Sequence, residues 1–258
     1  SKLMTSGEGG IVITSDLATF ELVQSYVNCG RASETDQFKR RVTGSNHRLT
    51  ELQAALLVGQ LDMLPALAER RARNAARLTA ALEQIPGVRP LAPQPAITRE
   101  AIYCYVFQYT PAELKVGRDM FVAALDAEGI PADGRFYEPI YRSDLFKVSP
   151  EEFPQLSVGR DKPMDYAAAN CPVSERAAYH EAVWLPQFLL LGEEEDIDDI
   201  ARAIEKVASD PGALEHADPA LAALKSMSRA ERPRLSEKGD MTAMQDVEAA
   251  VGKHQRAR

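Results

Sequence analysis

The sequence predicts an α/β protein. Strand-like and helix-like segments alternate along most of the chain, long amphipathic stretches recur at the helical period, and 258 residues with 45% hydrophobic content suffice for a sizeable core. The run Gly9-Gly10-Ile11-Val12-Ile13-Thr14, bounded by glycines and by Ser15-Asp16, reads as a short strand. A helix follows from about Asp16 to Val27, with Asp16 as its cap. Residues Gly30 to Gly44 carry Arg31, Lys39, Arg40 and Arg41 without periodicity and read as a loop. From Ser45 to Leu64, Leu49, Leu52, Leu56 and Met63, with Leu57, Leu61 and Leu64, recur at three- and four-residue intervals, and Thr50-Glu51 is a helix start signal. Pro65 is expected to interrupt that helix. A second would run from Ala66 to about Ile85, with Arg70, Arg71, Arg73 and Arg77 on faces away from Leu67, Ala75, Leu78 and Leu82, and end at Pro86-Gly87.

The stretch Val88 to Ala101 is proline-rich and precedes a strand-like run from Tyr103 to Tyr109, so a subdomain boundary is expected near residue 88. A helix is predicted from Arg118 to Glu128, ending at Gly129, then an extended piece from Ile130 to Arg135 and an aromatic loop from Phe136 to Tyr141. Ser174 to Glu181 reads as a short helix and Ala182 to Leu185 as a strand. Glu193 to Val207 reads as a helix with Ile197, Ile200, Ile204 and Val207 on one face. Its acidic start suits the positive end of the helix dipole better than a metal site. Asp210-Pro211-Gly212 closes this unit, and residues 213–258 are expected to form a flexible tail.

Thirty Lys+Arg against 38 Asp+Glu give a net charge of −8, which argues against a nucleic-acid surface. No apolar run approaches the roughly 20 residues of a membrane span. The three cysteines, Cys29, Cys104 and Cys171, have neither the number nor the spacing of a disulfide framework or zinc site, and a reducing cytoplasm is the expected setting. Metal-protease, phosphate-loop and nucleophile-elbow motifs are missing, so spacing alone names no enzyme. The chain opens on Ser1-Lys2-Leu3-Met4-Thr5, without an initiator Met or a signal peptide, and a strand follows almost at once. We therefore expect it to be the C-terminal part of something longer.

Two segments carry a specific pattern. Ser1-Lys2-Leu3-Met4-Thr5-Ser6-Gly7-Glu8-Gly9-Gly10-Ile11-Val12 places a lysine before a short polar stretch, a glycine-rich turn and a β-branched run, and Gly44-Ser45-Asn46-His47-Arg48-Leu49-Thr50-Glu51-Leu52-Gln53-Ala54-Ala55 follows downstream. Together they resemble the lysine segment and the G-x-N-Y-R-(M/L)-(T/S)-E-x-Q-A-A motif of the DegT/StrS-type sugar aminotransferases. The resemblance continues through Gly129-Ile130-Pro131 and Glu181-Ala182-Val183-Trp184-Leu185-Pro186, and covers about residues 1 to 208.

This resemblance implies the fold-type-I scaffold of pyridoxal 5'-phosphate (PLP) enzymes, with a truncated large domain and a small C-terminal α/β domain. Residues 1–87 would be the remainder of the PLP-binding large domain with its connecting helices, 88–212 the small domain and 213–258 the tail. Lys2 would form the Schiff base with PLP, which needs a neutral amine, and would then shuttle a proton as general base. Asn46 corresponds to the asparagine that reaches across a dimer interface to the cofactor phosphate, and it equally suits a turn or cap before a helix. Arg48 would hold an anionic group of donor or acceptor, with a structural salt bridge as the competing role. Tyr137 lies in a loop resembling the acceptor-binding segment, although a tyrosine there can also simply pack. His47 stands where tyrosine is more usual; Tyr141 lies in the same acceptor-like loop as Tyr137, with the same alternative of packing, and His180 and Trp184 read as packing residues.

The resemblance implies amino transfer from glutamate or glutamine to a keto-sugar or cyclitol ketone, in a cytoplasmic homodimer without metal, nucleic acid or membrane. Lysine rather than histidine at position 2 favours transamination over dehydration. The alternatives are a catalytically silent fragment and a PLP-binding homologue that serves association or regulation.

Overall fold

The computed structural model describes residues 2–32, 38–114 and 116–209, and these fall into two compact units, Ser1–Glu69 and Arg70–Arg258. The closing turn expected at residues 210–212 and the tail from 213 lie outside the described residues.

In the first unit, α1 spans Leu17–Val27, and the Asp16 carboxylate accepts the Thr19 backbone N–H at 2.8 Å, the expected cap. That bond holds the Asp16 carboxyl below the usual carboxylate range. The strand expected over Gly9 to Thr14 does not form: among the described residues the run has no ladder partner, and Ile11, Val12 and Ile13 are exposed. A β-branched run becomes a strand only against a neighbour that takes up its N–H and C=O groups. Within this unit only Ser25 and Gly30 are buried among the described residues.

The helix α2 runs unbroken from Glu51 to Leu82, 32 residues, and so passes through the position where Pro65 was expected to stop it. It begins at a reciprocal cap: Thr50 Oγ1 accepts the Gln53 N–H at 3.3 Å and Gln53 Oε1 accepts the Thr50 N–H at 3.2 Å. Proline removes the donor to the Leu61 carbonyl, but Leu61 and Pro65 are both exposed, so water can satisfy that oxygen while strong helix formers continue on either side.

In the second unit, β1 (Val88–Pro90), β2 (Cys104–Tyr109) and β3 (Ala182–Pro186) form an antiparallel sheet in the order β1-β2-β3. The register pairs Val88 with Tyr109, Phe107 with Val183 and Tyr105 with Leu185. The strand β1 falls inside the proline-rich stretch, for which no strand was predicted; as an edge strand it tolerates Pro90, whose missing N–H costs no ladder bond on the outer side. Alternation along β2 sends Tyr105, Phe107 and Tyr109 inward, where they meet Phe121, Val122 and Leu125 of α4 (Arg118–Ala127). A four-residue helix, α3 (Pro111–Leu114), precedes α4. The Tyr109 hydroxyl donates to the Val116 carbonyl at 2.7 Å, and burial pushes its pKa up to about 12.

The helix α5 (Pro172–Arg176) continues into a π-helical turn, Ala177–Glu181, ahead of β3. The buried Arg118 guanidinium donates to the carbonyls of Ala178, Tyr179 and Ala182 at 2.9–3.1 Å and pairs with Asp119 at 2.9 Å, so a single cation ties the turn to α4. The core closes with α6 (Glu194–Ser209), which buries Ile197, Ile200, Ile204 and Val207 against Leu78 and Leu82 of α2 and the sheet. Each such side chain contributes about 1.5–3 kcal/mol relative to exposure.

Polar contacts set the register of α2 on α6. Asn74 donates to the carbonyls of Leu190 and Gly192 at 2.9 Å, and Arg77 forks onto Asp198 at 2.7 and 2.8 Å while reaching Glu194 at 2.8 Å. The acidic start of α6 is therefore engaged by arginines as well as by the helix dipole. Arg71 corrects the sequence reading: it lies four residues before Ala75, on the core stripe, and is only 3% exposed. Its Nε donates to Gln187 Oε1 at 2.7 Å, while burial without a carboxylate partner lowers its pKa.

Because Pro65 forfeits one helical hydrogen bond on an exposed face, Pro65→Ala should stabilise the protein by about 1–3 kcal/mol in urea denaturation. An unchanged or lowered midpoint would show that the ring is accommodated without cost.

Candidate functional site

The lysine segment has no regular structure of its own and is held against α2 by two glutamines. Gln60 Oε1 accepts the Thr5 N–H at 2.9 Å and Gln60 Nε2 donates to the Thr5 carbonyl at 2.6 Å, while Gln53 Nε2 donates to the Glu8 carbonyl at 2.9 Å. Gly7 sits at φ 87°, turning the chain between these two anchors. Lys2, three residues before Thr5, is exposed.

Asn46 and Arg48 are positioned by an antiparallel docking of residues 45–47 on the end of α1. The Ser45 N–H donates to Tyr26 O at 3.1 Å, the His47 N–H to Val27 O at 2.9 Å and the Cys29 N–H to Ser45 O at 3.0 Å. Gly44 permits this approach, since a β-carbon there would lie 2.4 Å from the Tyr26 carbonyl oxygen. The His47 ring stacks on Tyr26 with centroids 5.9 Å apart, which gives this residue a packing role. Arg48 Nε donates to Asn46 Oδ1 at 3.0 Å. A guanidinium only donates, so the oxygen of the amide must face it, and the two N–H groups of Asn46 Nδ2 meet no acceptor among the described residues.

Lysine segment, Asn46 and Arg48 thus belong to one unit and are organised around the first turns of α2. Lys2 offers an amine, Asn46 an amide donor and Arg48 a guanidinium, groups that can meet a carbonyl carbon or an anionic oxygen. No cluster of three or more metal-ligating side chains occurs among the described residues. Gln53 and Gln60 escaped the sequence reading as site residues; Gln53 stood inside the quoted motif, but nothing there showed what it would touch.

Tyr137 belongs to the second unit, where it is 59% exposed. It packs edge-on against Phe136 at 4.6 Å and Trp184 at 6.3 Å, with Phe136 stacked on Trp184 at 5.2 Å. Trp184 lies on the side of β3 opposite the core positions Val183 and Leu185, so these aromatics coat the other face of the sheet. The following turn is anchored by Glu175, which accepts from the Tyr141 hydroxyl at 2.8 Å and from Arg142 Nε at 2.7 Å, and the Cys171 N–H donates to the same hydroxyl at 3.2 Å. The Tyr141 hydroxyl, then Arg142, holds the Glu175 carboxyl below its ordinary range.

The profile of the DegT/DnrJ/EryC1/StrS aminotransferase family matches residues 1–205. A Micromonospora echinospora protein named for an L-glutamine:3-amino-2,3-dideoxy-scyllo-inosose aminotransferase activity is 40% identical over 217 residues, 83% of this chain and 52% of that protein. The 3-amino-5-hydroxybenzoate synthase of Amycolatopsis mediterranei (strain S699) is 31% identical over 206 residues, 79% of this chain and 50% of the relative. Among solved structures, 3-amino-5-hydroxybenzoic acid synthase superposes with a TM-score of 0.64 at 27% identity, over 80% of this chain and 52% of that one. Helicobacter pylori PseC, at 23% identity and a TM-score of 0.61 over 81% of this chain and 51% of that one, shares the fold. The chain belongs to the DegT/DnrJ/EryC1/StrS aminotransferase family, and its mixed helix-and-sheet architecture is that of the fold-type-I PLP aminotransferases. It spans about half the length of the curated relatives it matches.

Gly44→Ala should undo the docking of residues 45–47, so amide exchange at His47 should accelerate at least about tenfold while Tyr105 in the sheet stays protected. Retained protection at His47 would show that the loop absorbs the added carbon.

Glu175 is lowered in the folded state, so the Tyr141–Glu175–Arg142 contact is fully present above the ordinary glutamate value near 4.5 and is lost as pH falls through the lower folded value. Hydrogen exchange in residues 140–147, corrected for intrinsic rates, should rise on acidification through that window, and Glu175→Gln should flatten the response. An equal rise in the variant would assign the effect to another group.

Proposed function

We propose that this chain takes part in PLP-dependent amino transfer, moving the amino group of glutamine or glutamate to the ketone of a cyclitol or keto-sugar in antibiotic or cell-surface sugar biosynthesis. The observation that carries this reading is the lysine segment clamped on the same helix that follows Asn46 and Arg48, in a chain whose relatives include a protein named for glutamine:inosose amino transfer. PLP, when bound, supplies the electron sink for the carbanion at the amino donor's α-carbon. Lys2 Nζ would hold the cofactor's carbonyl carbon and, once displaced by the donor, carry the proton removed from that α-carbon. Across a homodimer interface, Asn46 Nδ2 would donate to a phosphate oxygen of the other subunit's cofactor without adding charge, and Arg48 would take a carboxylate of the donor or an anionic group of the acceptor. The exposed Tyr137 would present its ring and hydroxyl to the acceptor.

We assign residues 1–87 to the large domain and its connecting helix, residues 88–212 to the small domain and 213–258 to a tail. In this scheme Arg70–Leu82 is the stretch by which the connector joins the small domain's core. The exposed apolar side chains of the first unit, among them Ile11, Val12, Ile13, Leu52 and Leu56, are what a homodimer interface would cover. We propose a cytoplasmic location, and no helix among the described residues is long and apolar enough to cross a membrane.

Incubation with PLP, borohydride reduction and peptide mapping should place one phosphopyridoxyl group on Lys2, and Lys2→Arg should remove it. L-glutamine should then convert the unreduced cofactor to its amino form, seen as loss of the yellow absorbance. Labelling at Lys2 without that conversion would favour the non-catalytic PLP-binding reading, and labelling scattered over many lysines would refute the assignment of Lys2.

A further inference from the structure

The geometry points to Gln60, with Gln53 as its companion, as the positioning residue that fixes the segment carrying Lys2 on α2. This inference rests on the reading of Lys2 as cofactor anchor.

Gln60 spends its whole amide on backbone: Oε1 takes the Thr5 N–H at 2.9 Å, and the two hydrogens of Nε2 go to Thr5 O at 2.6 Å and Leu56 O at 3.1 Å. The orientation is unambiguous, because a backbone N–H can only donate and a carbonyl only accept. The third contact fixes the side chain to its own helix, so the pair facing Thr5 acts as a single rung of a β-ladder supplied by a side chain. Gln53 is engaged likewise: Oε1 accepts from Thr50 N–H at 3.2 Å and from Thr50 Oγ1 at 2.9 Å, and Nε2 reaches Glu8 O at 2.9 Å.

The two glutamines are seven residues apart, two turns on one face of α2, a rise of about 10 Å. Thr5 and Glu8 are three residues apart with the turn at Gly7 between them, so the opening segment is pegged to the helix at two points on either side of that turn. Because Gln53 also forms the cap at Thr50, two residues after Arg48, the same side chain that pegs Glu8 sets where α2 begins behind Asn46 and Arg48. The segment carrying Lys2 has no ladder among the described residues and its Leu3 and Met4 are half-buried, so the glutamine bonds are the directional contacts that fix its backbone on α2.

The test uses the full chain with PLP as the probe and two variants. Gln60→Met keeps the length and helix propensity and removes every bond to Thr5. Gln60→Glu keeps the acceptor for the Thr5 N–H but sets a carboxylate against the Thr5 carbonyl until it is protonated. In Gln60→Met, amide exchange in residues 3–8 should accelerate, and the share of borohydride-trapped label on Lys2 relative to the other lysines should fall about tenfold, the loss expected for two hydrogen bonds. In Gln60→Glu, protection of residues 3–8 relative to wild type should return as pH falls through about 4.3, where the side chain regains its donor. A general loosening of the helix would not follow that titration. Wild-type label confined to Lys2 with an unchanged share in Gln60→Met overturns the positioning role while leaving the functional reading intact. Wild-type label scattered over the lysines overturns the functional reading and the positioning role with it.

Discussion

The helix α2 is the element on which both units depend, because it has to satisfy two kinds of neighbour along one axis. Its C-terminal part offers an apolar stripe, Ala75, Leu78 and Leu82, to a sheet-and-helix core. Its first turns offer amide side chains to a backbone that has no ladder among the described residues. The stripe is held by the hydrophobic effect, which is indifferent to direction, and the register on α6 is then sharpened by Asn74 and by the fork of Arg77 on Asp198. The amide contacts are directional and few. One element thus joins a region stabilised by burial to one arranged by hydrogen bonds.

That difference explains what could be read from the sequence. Elements that bury one face showed the period of that face: the helix around Ile197, Ile200, Ile204 and Val207, the strand around Phe107 and the helix beginning at Arg118 occur where alternation and helical spacing place them. Local cues served as well, since Asp16 and Thr50 lie beside the groups they cap. The lysine and asparagine segments were legible by family resemblance, through residues whose roles no periodicity reveals.

The remainder depended on partners distant in the chain. Ile11 to Thr14 has every local mark of a strand, yet strand formation is a property of pairs. Val88–Pro90 has a poor local signal, yet becomes an edge strand because Phe107 to Tyr109 lies alongside. Pro65 was read as a stop because its cost is local, while what offsets it, propagation through the turns on either side, is cooperative. Arg71 shares the face of Ala75 and Leu78, but an arginine there signals solvent until Gln187 is known to meet it. The glutamine clamps fall in the same class: 45 residues separate Gln53 from Glu8 and 55 separate Gln60 from Thr5.

A site arranged this way has a consequence for function. Among the described residues the first unit fully buries no apolar side chain, and the contacts that arrange it include caps, a glycine-enabled backbone docking, the Tyr26–His47 stack and two amides. Such contacts contribute about 1 kcal/mol each and open locally far more often than a packed sheet does. Covering the exposed apolar surface would exclude water from these same bonds and strengthen them, because a hydrogen bond gains as the local dielectric falls. Under the proposed function, association would therefore also order the lysine segment. A partner surface laid over Ile11 to Ile13 and the leucines of α2 would stiffen the lysine segment without touching Lys2, which is a physical reason for a site of this kind to lie at an interface between subunits.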